Sequence, residues 1–299
     1  MKRPARARSF GRAAAVGLVI VLTSSAYAPS GRRDATAQGA TSASKQGLPL
    51  QAGPVVVRDV PYAERDGQIL GLDVYRMEDA GPQPALVLVH GGSWRRRSKE
   101  TWSEVAPLYA REGYVVFAVD YRLAPPGGGA RFPDPVGDVQ TAVDWVLRNS
   151  ATYSVDPGRI AVVGSSAGGH LALLAAATAE AARPDAIVLF SAPVDLERLH
   201  RKDVLRGSIE NFIGCPPETC PPQYRRASGR RALDESTPPV LAVFSRYELI
   251  PPDQPLRLAQ RLEALGHPVE LVELGGTRHG MAVAKPALEE TLEFLEGRV

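Results

Sequence analysis

The chain has 299 residues, 44% of them hydrophobic, which is enough to bury the core of one α/β domain of ordinary size. It contains 35 basic and 33 acidic residues, and five of the basic ones lie within the first 28 residues. The rest of the chain therefore carries 30 basic against 33 acidic residues, a net charge near −3. This balance gives no support for a protein that binds nucleic acid.

The first 28 residues have the pattern of a signal peptide. A basic segment ending at Arg12 precedes an apolar run from Ala13 to Leu22, and Ala26-Tyr27-Ala28 is a small-x-small cleavage pattern. The run is shorter than the roughly 20 residues of a membrane-spanning helix. We expect cleavage after Ala28, or after Ala37 as the alternative, and a secreted or periplasmic protein with no membrane contact afterwards. An uncleaved membrane anchor is the competing interpretation.

Residues 29–54 lack periodicity and are rich in small and polar residues, which predicts a flexible linker. Residues 55–299 form one predicted domain. Its predicted strands are 55–60, 69–75, 85–90, 114–120, 160–163, 186–190, 239–244 and 268–274, the first two joined by a turn at Arg65-Asp66-Gly67. Its predicted helices are 101–111, 135–148, 166–180, 256–265 and 286–296. This alternation predicts an α/β fold with a mostly parallel central sheet and helices on both faces.

One segment, residues 195–238, breaks the alternation, because it is long, polar and rich in proline. A connection of this length in a compact domain is usually functional, and it is a candidate lid. The only cysteines of the sequence, Cys215 and Cys220, lie within it and are a possible disulfide in an exported protein. Two cysteines without a nearby histidine pair are a poor zinc site. We therefore expect neither a metal nor a cofactor.

The stretch Arg159–His170 has the order strand, sharp turn, helix, with Gly164-Ser165-Ser166-Ala167-Gly168 at the corner. Such a turn strains the backbone at Ser166 and exposes its hydroxyl, while the flanking glycines leave room for the neighbouring strand and helix. The amide of Ala167, at the helix N-terminus, is then free to bind a developing oxyanion. This context predicts Ser166 as a nucleophile, whereas an isolated motif of this type indicates no more than a turn of small residues.

A serine nucleophile needs a histidine base, which in turn is oriented by a carboxylate. His279 follows the predicted strand 268–274 and is the candidate base. Two carboxylates follow the strand 239–244, Glu248 and Asp253. We favour Glu248 as the acid, because Asp253 has the position of a helix N-cap, and we keep Asp253 as the possible alternative.

A second group of oxyanion donors is expected after the strand 85–90, where His90-Gly91-Gly92-Ser93-Trp94 is found. The amides of Gly91 and Gly92 are the candidates. The basic run Arg95-Arg96-Arg97-Ser98-Lys99 follows directly. A charge run is more often a solvated surface, and contact with an anionic substrate is the alternative.

Together these segments resemble the α/β-hydrolase superfamily, and within it the HGG-type esterases of the BD-FAE and hormone-sensitive-lipase-like group, which also resemble arylformamidases. The motifs that carry the resemblance are His90-Gly91-Gly92-Ser93-Trp94, Asp120-Tyr121-Arg122-Leu123-Ala124-Pro125, Phe132-Pro133-Asp134-Pro135-Val136-Gly137-Asp138, Gly164-Ser165-Ser166-Ala167-Gly168 and Gly276-Thr277-Arg278-His279. The resemblance implies Ser166 as nucleophile and His279 as base. It also implies an oxyanion hole of Gly91, Gly92 and Ala167, and structural roles for Asp120, Arg122 and Asp138.

Two departures from the family pattern concern the acid and the oxyanion loop. Phe244-Ser245-Arg246-Tyr247-Glu248 stands where many relatives have His-Gly before the loop and an aspartate as the acid. Ser93 stands where glycine or alanine is common.

The leading hypothesis is an exported, metal-independent serine carboxylesterase acting on a small-molecule or polysaccharide ester. Arylformamide hydrolysis, polysaccharide deacetylation and peptide cleavage on the same residues are the alternatives. A non-catalytic ligand-binding protein on a hydrolase scaffold is the alternative from another class. The sequence indicates no oligomeric state.

Overall fold

The computed structural model describes residues 19–23, 53–78 and 81–299. The predicted signal peptide (1–28) and linker (29–54) lie outside these residues, except at 19–23 and 53–54, and both stay predictions. Strands of the described part are β1 (Val19–Thr23), β2 (Val55–Arg65), β3 (Gln68–Arg76), β4 (Gln83–Val89), β5 (Val115–Val119), β6 (Val155–Ser165), β7 (Ala186–Phe190), β8 (Val240–Ser245) and β9 (Val269–Leu274).

Within the described residues these strands form one sheet in the order β1-β9-β8-β7-β6-β4-β5-β3-β2. The strands from β4 to β9 are parallel, and β3 pairs antiparallel with both β5 and β2. The turn between β2 and β3 uses Asp66 and Gly67 at φ 52° and 75°, the left-handed pair that a two-residue hairpin needs. The mostly parallel sheet predicted from the alternation is confirmed.

The outermost strand, β1, lies parallel beside β9, with Val19 opposite Glu270. It falls inside the predicted signal peptide. A chain cleaved after Ala28 or Ala37 would therefore keep the other eight strands of this sheet.

Helices cover both faces of the sheet, as the alternation predicts. They are α1 (Ala106–Arg111), α2 (Asp134–Arg148), α3 (Ser150–Tyr153), α4 (Ala167–Ala177), α5 (Leu196–Leu199), α6 (Asp203–Ile213), α7 (Pro221–Ala227), α8 (Gly229–Ala232), α9 (Asp253–Ala264), α10 (Met281–Ala284) and α11 (Leu288–Leu295). Residues of α2, α4 and α9 pack on one face, and residues of α1, α10 and α11 pack on the other. In β4 the side chains alternate accordingly, with Val87 in the first core and Leu88 in the second.

One predicted helix is interrupted in the structure. The segment 101–111 consists of a 3₁₀ turn, Lys99–Trp102, and then α1. Pro107 has no amide hydrogen and stands at the start of α1, so that the helix cannot continue from the preceding turn. The predicted C-terminal helix 286–296 corresponds to α11, which begins two residues after Pro286, and the short helix α10 precedes it.

The segment 195–238 is largely helical, since α5 to α8 lie within it. Leu205, Ile209 and Phe212 of α6 are buried in the first core. Cys215 and Cys220 form a disulfide with their Cα atoms 6.3 Å apart, which closes the turn between α6 and α7. The role of this segment as a lid stays a prediction. No helix in the described part of the chain is long and apolar enough to cross a membrane.

A buried ion pair ties the loop after β5 to α2. The Nη2 atom of Arg122 lies 2.9 Å from Oδ1 of Asp138, and its Nε lies 2.9 Å from Oδ2. The backbone amide of Arg122 also donates to the same carboxylate, at 3.0 Å. The Asp138 side chain has no exposed surface. Its hydrogen bond raises the pKa of Arg122 further above its ordinary value.

We expect Asp138→Ala to lower the free energy of unfolding by about 3 kcal/mol, because it leaves the guanidinium of Arg122 without its buried partner. Urea unfolding followed by circular dichroism measures this change. Asp144→Ala, on the same helix, is the matched control, because the Asp144–Arg148 pair is exposed and 3.9 Å apart. The control should change stability by less than about 1 kcal/mol. A loss at Asp138 no larger than the loss at Asp144 would contradict the assignment.

Candidate active site

The turn between β6 and α4 places Ser166 in a strained conformation. Its φ and ψ are 53° and −119°, and its amide donates to the carbonyl of Phe190 at 2.7 Å. A Cβ atom on Gly164 would lie 2.4 Å from the carbonyl oxygen of Gly168. A Cβ atom on Gly168 would lie 2.2 Å from the carbonyl oxygen of Val89. Only glycine fits at these two positions, so three backbone segments meet directly beside Ser166.

The structure brings Ser166, His279 and Glu248 together. Nε2 of His279 lies 2.9 Å from Oγ of Ser166, and its Nδ1 lies 2.5 Å from Oε2 of Glu248. The other carboxylate oxygen of Glu248 accepts the amide of Ser245 at 2.9 Å. An ionised carboxylate only accepts hydrogen bonds, so this pairing puts the imidazole proton on Nδ1 and leaves Nε2 free to accept the serine hydroxyl. The Glu248 side chain is fully buried, whereas that of His279 is 27% exposed.

The alternative carboxylate, Asp253, lies elsewhere and has other partners. It is the first residue of α9, directly after the cap residue Pro252. Its Oδ2 atom accepts from Nε of Arg198 at 2.6 Å and from Nε of Arg257 at 3.4 Å. Of the two candidate carboxylates, the one that contacts Nδ1 of His279 is therefore Glu248.

The loop after β4 lies against the Ser166 turn. A Cβ atom on Gly91 would lie 3.2 Å from Cβ of Ser166. Gly92 has a φ of 121°, and a Cβ atom there would lie 2.0 Å from the carbonyl oxygen of Arg96, so the loop can close only with glycine. In the described part of the chain the amides of Gly91, Gly92 and Ala167 donate no hydrogen bond. Gly91 and Gly92 line the same cleft as Ser166, and Ala167 directly follows Ser166 as the first residue of α4.

A cleft of about 350 Å³ opens over Ser166 and His279. Its lining includes Leu249 and Met281, from the segments after β8 and β9, and Arg96 and Arg97, from the loop after β4 on the other side of β6. None of the residues that line this cleft comes from the segment 195–238. The site is therefore formed by the ends of the strands and their loops.

Ser191 holds the histidine loop in place, although the sequence analysis did not single it out. It follows β7, has a φ of 54°, and its Oγ atom accepts the amide of Gly280 at 3.0 Å. The only signal in the sequence is its position at the carboxyl end of a predicted strand, next to the ends that carry the other site residues.

His170 is a second residue whose role the sequence did not reveal. Its Nδ1 atom accepts from Nε1 of Trp94 at 3.2 Å, and its Nε2 donates to the carbonyl of Ala227 at 2.7 Å. It thereby connects the loop after β4 to α7. The side chain is fully buried. Burial lowers the pKa of His170 from 6.5 to about 4, although the hydrogen bond to Ala227 raises it in part.

Comparison with known proteins agrees with this architecture. The chain is 34% identical over 247 residues to the esterase LipC of Mycobacterium tuberculosis. The matched region covers 75% of this chain and 59% of LipC. It is 28% identical over 263 residues to the ethyl acetate hydrolase of Pseudomonas putida. That match covers 81% of this chain and 80% of the hydrolase. The propionate-bound esterase Est2 of Thermogutta terrifontis superposes with a TM-score of 0.67 at 24% identity, covering 83% of this chain and 95% of Est2.

The fold is therefore that of the α/β-hydrolases. The model of the BD-FAE family matches residues 72–262, and the chain belongs to this family. It spans about three fifths of the length of LipC.

We expect the stability of the protein to fall as the pH is lowered from about 6.5 to about 4, in part through His170. In this range the unfolded state binds a proton that the folded state excludes, so stability rises with pH between the two pKa values and is unaffected by this group above 6.5. Protonation of Nδ1 would also remove the acceptor of Trp94. Urea unfolding at several pH values measures the slope.

The free energy of unfolding of His170→Gln should fall less than that of wild type over this pH range. The difference should be on the order of 3 kcal/mol at the acid end. His90 is also buried, and burial lowers its pKa to about 4. It is present in both proteins, so its contribution to the pH dependence cancels in the comparison. Parallel pH profiles for wild type and variant would contradict the prediction.

Proposed function

We propose that this domain is a serine carboxylester hydrolase with Ser166 as nucleophile, His279 as general base and Glu248 as the orienting acid. The observation that carries the proposal is the hydrogen-bonded chain from buried Glu248 through His279 to Ser166, with contacts of 2.5 Å and 2.9 Å. Membership of the BD-FAE family supports it, as do relatives named for ester hydrolysis.

In the proposed reaction, Oγ of Ser166 attacks the ester carbonyl while its proton passes to Nε2 of His279. The carboxylate of Glu248 stabilises the imidazolium that forms. The carbon–oxygen bond to the leaving alcohol then breaks, and the alcohol takes the proton from Nε2. Water attacks the acyl-enzyme with His279 again as base, which releases the carboxylic acid and restores the hydroxyl of Ser166.

The negative charge of the tetrahedral intermediate develops on the former carbonyl oxygen. We propose that the amides of Gly91, Gly92 and Ala167 donate to this oxygen, because Gly91 and Ala167 adjoin Ser166 and Gly92 lines the same cleft. Their fixed backbone positions cost no reorganisation during the reaction, and loss of one such donor typically costs about 10²–10³ in rate. The first peptide units of α4 add a favourable dipole. A cleft of about 350 Å³ suits a small-molecule ester or one residue of a carbohydrate ester.

We expect Ser166→Ala to lower kcat for p-nitrophenyl acetate by about 10⁴-fold or more, because the nucleophile is lost. Glu248→Gln should lower it by about 10²–10⁴-fold, because the amide no longer favours the charged imidazolium. Steady-state kinetics on the purified protein measure both values.

Asp253→Asn is the matched control for the acid, since Asp253 is the other carboxylate after β8 but pairs with Arg198. It should leave kcat within about twofold, as is usual for surface substitutions. Wild-type activity in Ser166→Ala, or a larger loss in Asp253→Asn than in Glu248→Gln, would refute the assignment of roles.

We also propose that the protein is exported, on the basis of its N-terminal sequence. The exported protein is expected to begin at Pro29, or at Gln38 if cleavage follows Ala37. Intact mass spectrometry of protein collected outside the cytoplasm identifies the start. The variant Ala28→Phe should block the first site and leave only the second. An exported protein that retains Met1 would argue for the uncleaved anchor.

A further inference from the structure

The basic run after the oxyanion loop divides into two parts in the structure. The side chain of Lys99 is buried, and its Nζ atom lies 2.7 Å from Asp59 and 2.9 Å from Glu100. Arg96 and Arg97 are exposed and line the cleft over Ser166. The lysine therefore belongs to the scaffold, and the two arginines face the substrate side.

The guanidinium groups of these two arginines have no carboxylate of the described residues within ion-pair distance. Within residues 53–78 and 81–299, neither Arg96 nor Arg97 takes part in an ion pair. None of the residues that line the cleft is an aspartate or a glutamate. The carboxylate of Glu248 is fully buried and hydrogen-bonded to His279. The cleft thus presents two guanidinium groups and no compensating acid.

The backbone holds these arginines close to the oxyanion loop. Arg97 has a φ of 78°, and its Cγ atom lies 3.2 Å from the position of a Cβ on Gly92, so its aliphatic stem passes over that residue. The amide of Arg95 donates to the carbonyl of Gly92 at 3.2 Å, and the carbonyl of Trp94 accepts the amide of Ala124 at 2.7 Å. A left-handed φ at a non-glycine residue is costly and persists only where the surroundings enforce it.

The opposite side of the cleft is apolar. Leu249, Met281 and Ala282 contribute to its lining, and Leu249 is 41% exposed. A molecule that fills the cleft therefore meets hydrocarbon on one side and two cations on the other. The planar guanidinium fork matches a carboxylate through two parallel hydrogen bonds, and uncompensated positive charge raises the local concentration of anions.

We infer that the cleft selects esters that carry a carboxylate near the scissile bond, with Arg96 and Arg97 binding that carboxylate and the Leu249 side accommodating the apolar part. This inference rests on the proposed function of Ser166. The two arginines determine specificity, and they are not required for the chemical steps at Ser166.

The test compares esters that differ only in the presence of the carboxylate. One pair, para-acetoxybenzoate and its methyl ester, carries the charge on the leaving group. The other pair, p-nitrophenyl hydrogen adipate and its methyl ester, carries the charge on the acyl group. For each pair the readout is the ratio of kcat/KM for the charged ester to that for the neutral ester, each corrected for its uncatalysed rate.

For wild type we expect a ratio of about ten or more in at least one pair, because hydrogen bonds to charged groups contribute more than neutral ones. The ratio should fall by about tenfold in Arg96→Gln or Arg97→Gln, and by less in Arg97→Lys, which retains the charge without the fork. Rising ionic strength should also lower the wild-type ratio, since these side chains are exposed.

Arg111→Gln is the matched control. Arg111 is an exposed arginine at the end of α1 that donates to the carbonyl of Pro107 in its own helix and does not line the cleft. This variant should keep the wild-type ratio. Because each ratio is internal to one protein, a general loss of activity in a variant does not change it.

A wild-type ratio of one or less in both pairs, with neutral esters hydrolysed through Ser166, would overturn the carboxylate inference alone. An equal loss for charged and neutral esters in both arginine variants would do the same. Absence of hydrolysis for all four esters would overturn the proposed function as well.

Discussion

The close approach of three backbone segments at the Ser166 turn is the constraint on which the site depends. Gly164 and Gly168 leave no room for a side chain between β6, α4 and the end of β4. Their contact forces Ser166 into a left-handed conformation that exposes its hydroxyl, and it aims the N-terminus of α4 at the same point. The loop that follows Val89 must then lie directly against the turn. A single packing requirement thus sets both the hydroxyl of Ser166 and the position of the glycine loop beside it.

The sheet topology brings the remaining groups to this point. Strand β4 lies between β5 and β6, so the strands that follow it in sequence are added on both of its sides. The connections after β4 and β5 therefore run in opposite directions, which leaves a crevice at the carboxyl ends of these strands. Open α/β sheets bind ligands at such a switch point. The strands β6, β8 and β9 end at the same edge of the sheet, so Glu248 and His279 lie close to Ser166. His279 and Ser166 are separated by 113 residues in sequence. Ser191 follows β7, the strand between β8 and β6, and its hydroxyl accepts the amide of Gly280 in the histidine loop.

The charges of the site are distributed according to burial. Charged groups taken out of water in the scaffold are paired, as in Arg122 with Asp138 and Lys99 with Asp59. The buried histidine His170 is held neutral between a donor and an acceptor. Arg96 and Arg97, which form no ion pair with the described residues, are exposed at the cleft, where we infer that a substrate carboxylate binds them. This contrast is the physical basis for assigning the cleft to esters that carry a carboxylate.

The sequence by itself determined the alternation of strands and helices, the β2–β3 turn and the positions of Ser166 and His279 at strand ends, because these depend on local periodicity and on glycine. The break at Pro107 has a local cause, but the length of the remaining helix is a matter of packing. Only the tertiary structure decided which of Glu248 and Asp253 meets His279, that the segment 195–238 is helical, and which arginines of the basic run face the cleft. Those outcomes depend on contacts between residues distant in sequence, which neither spacing nor composition encodes.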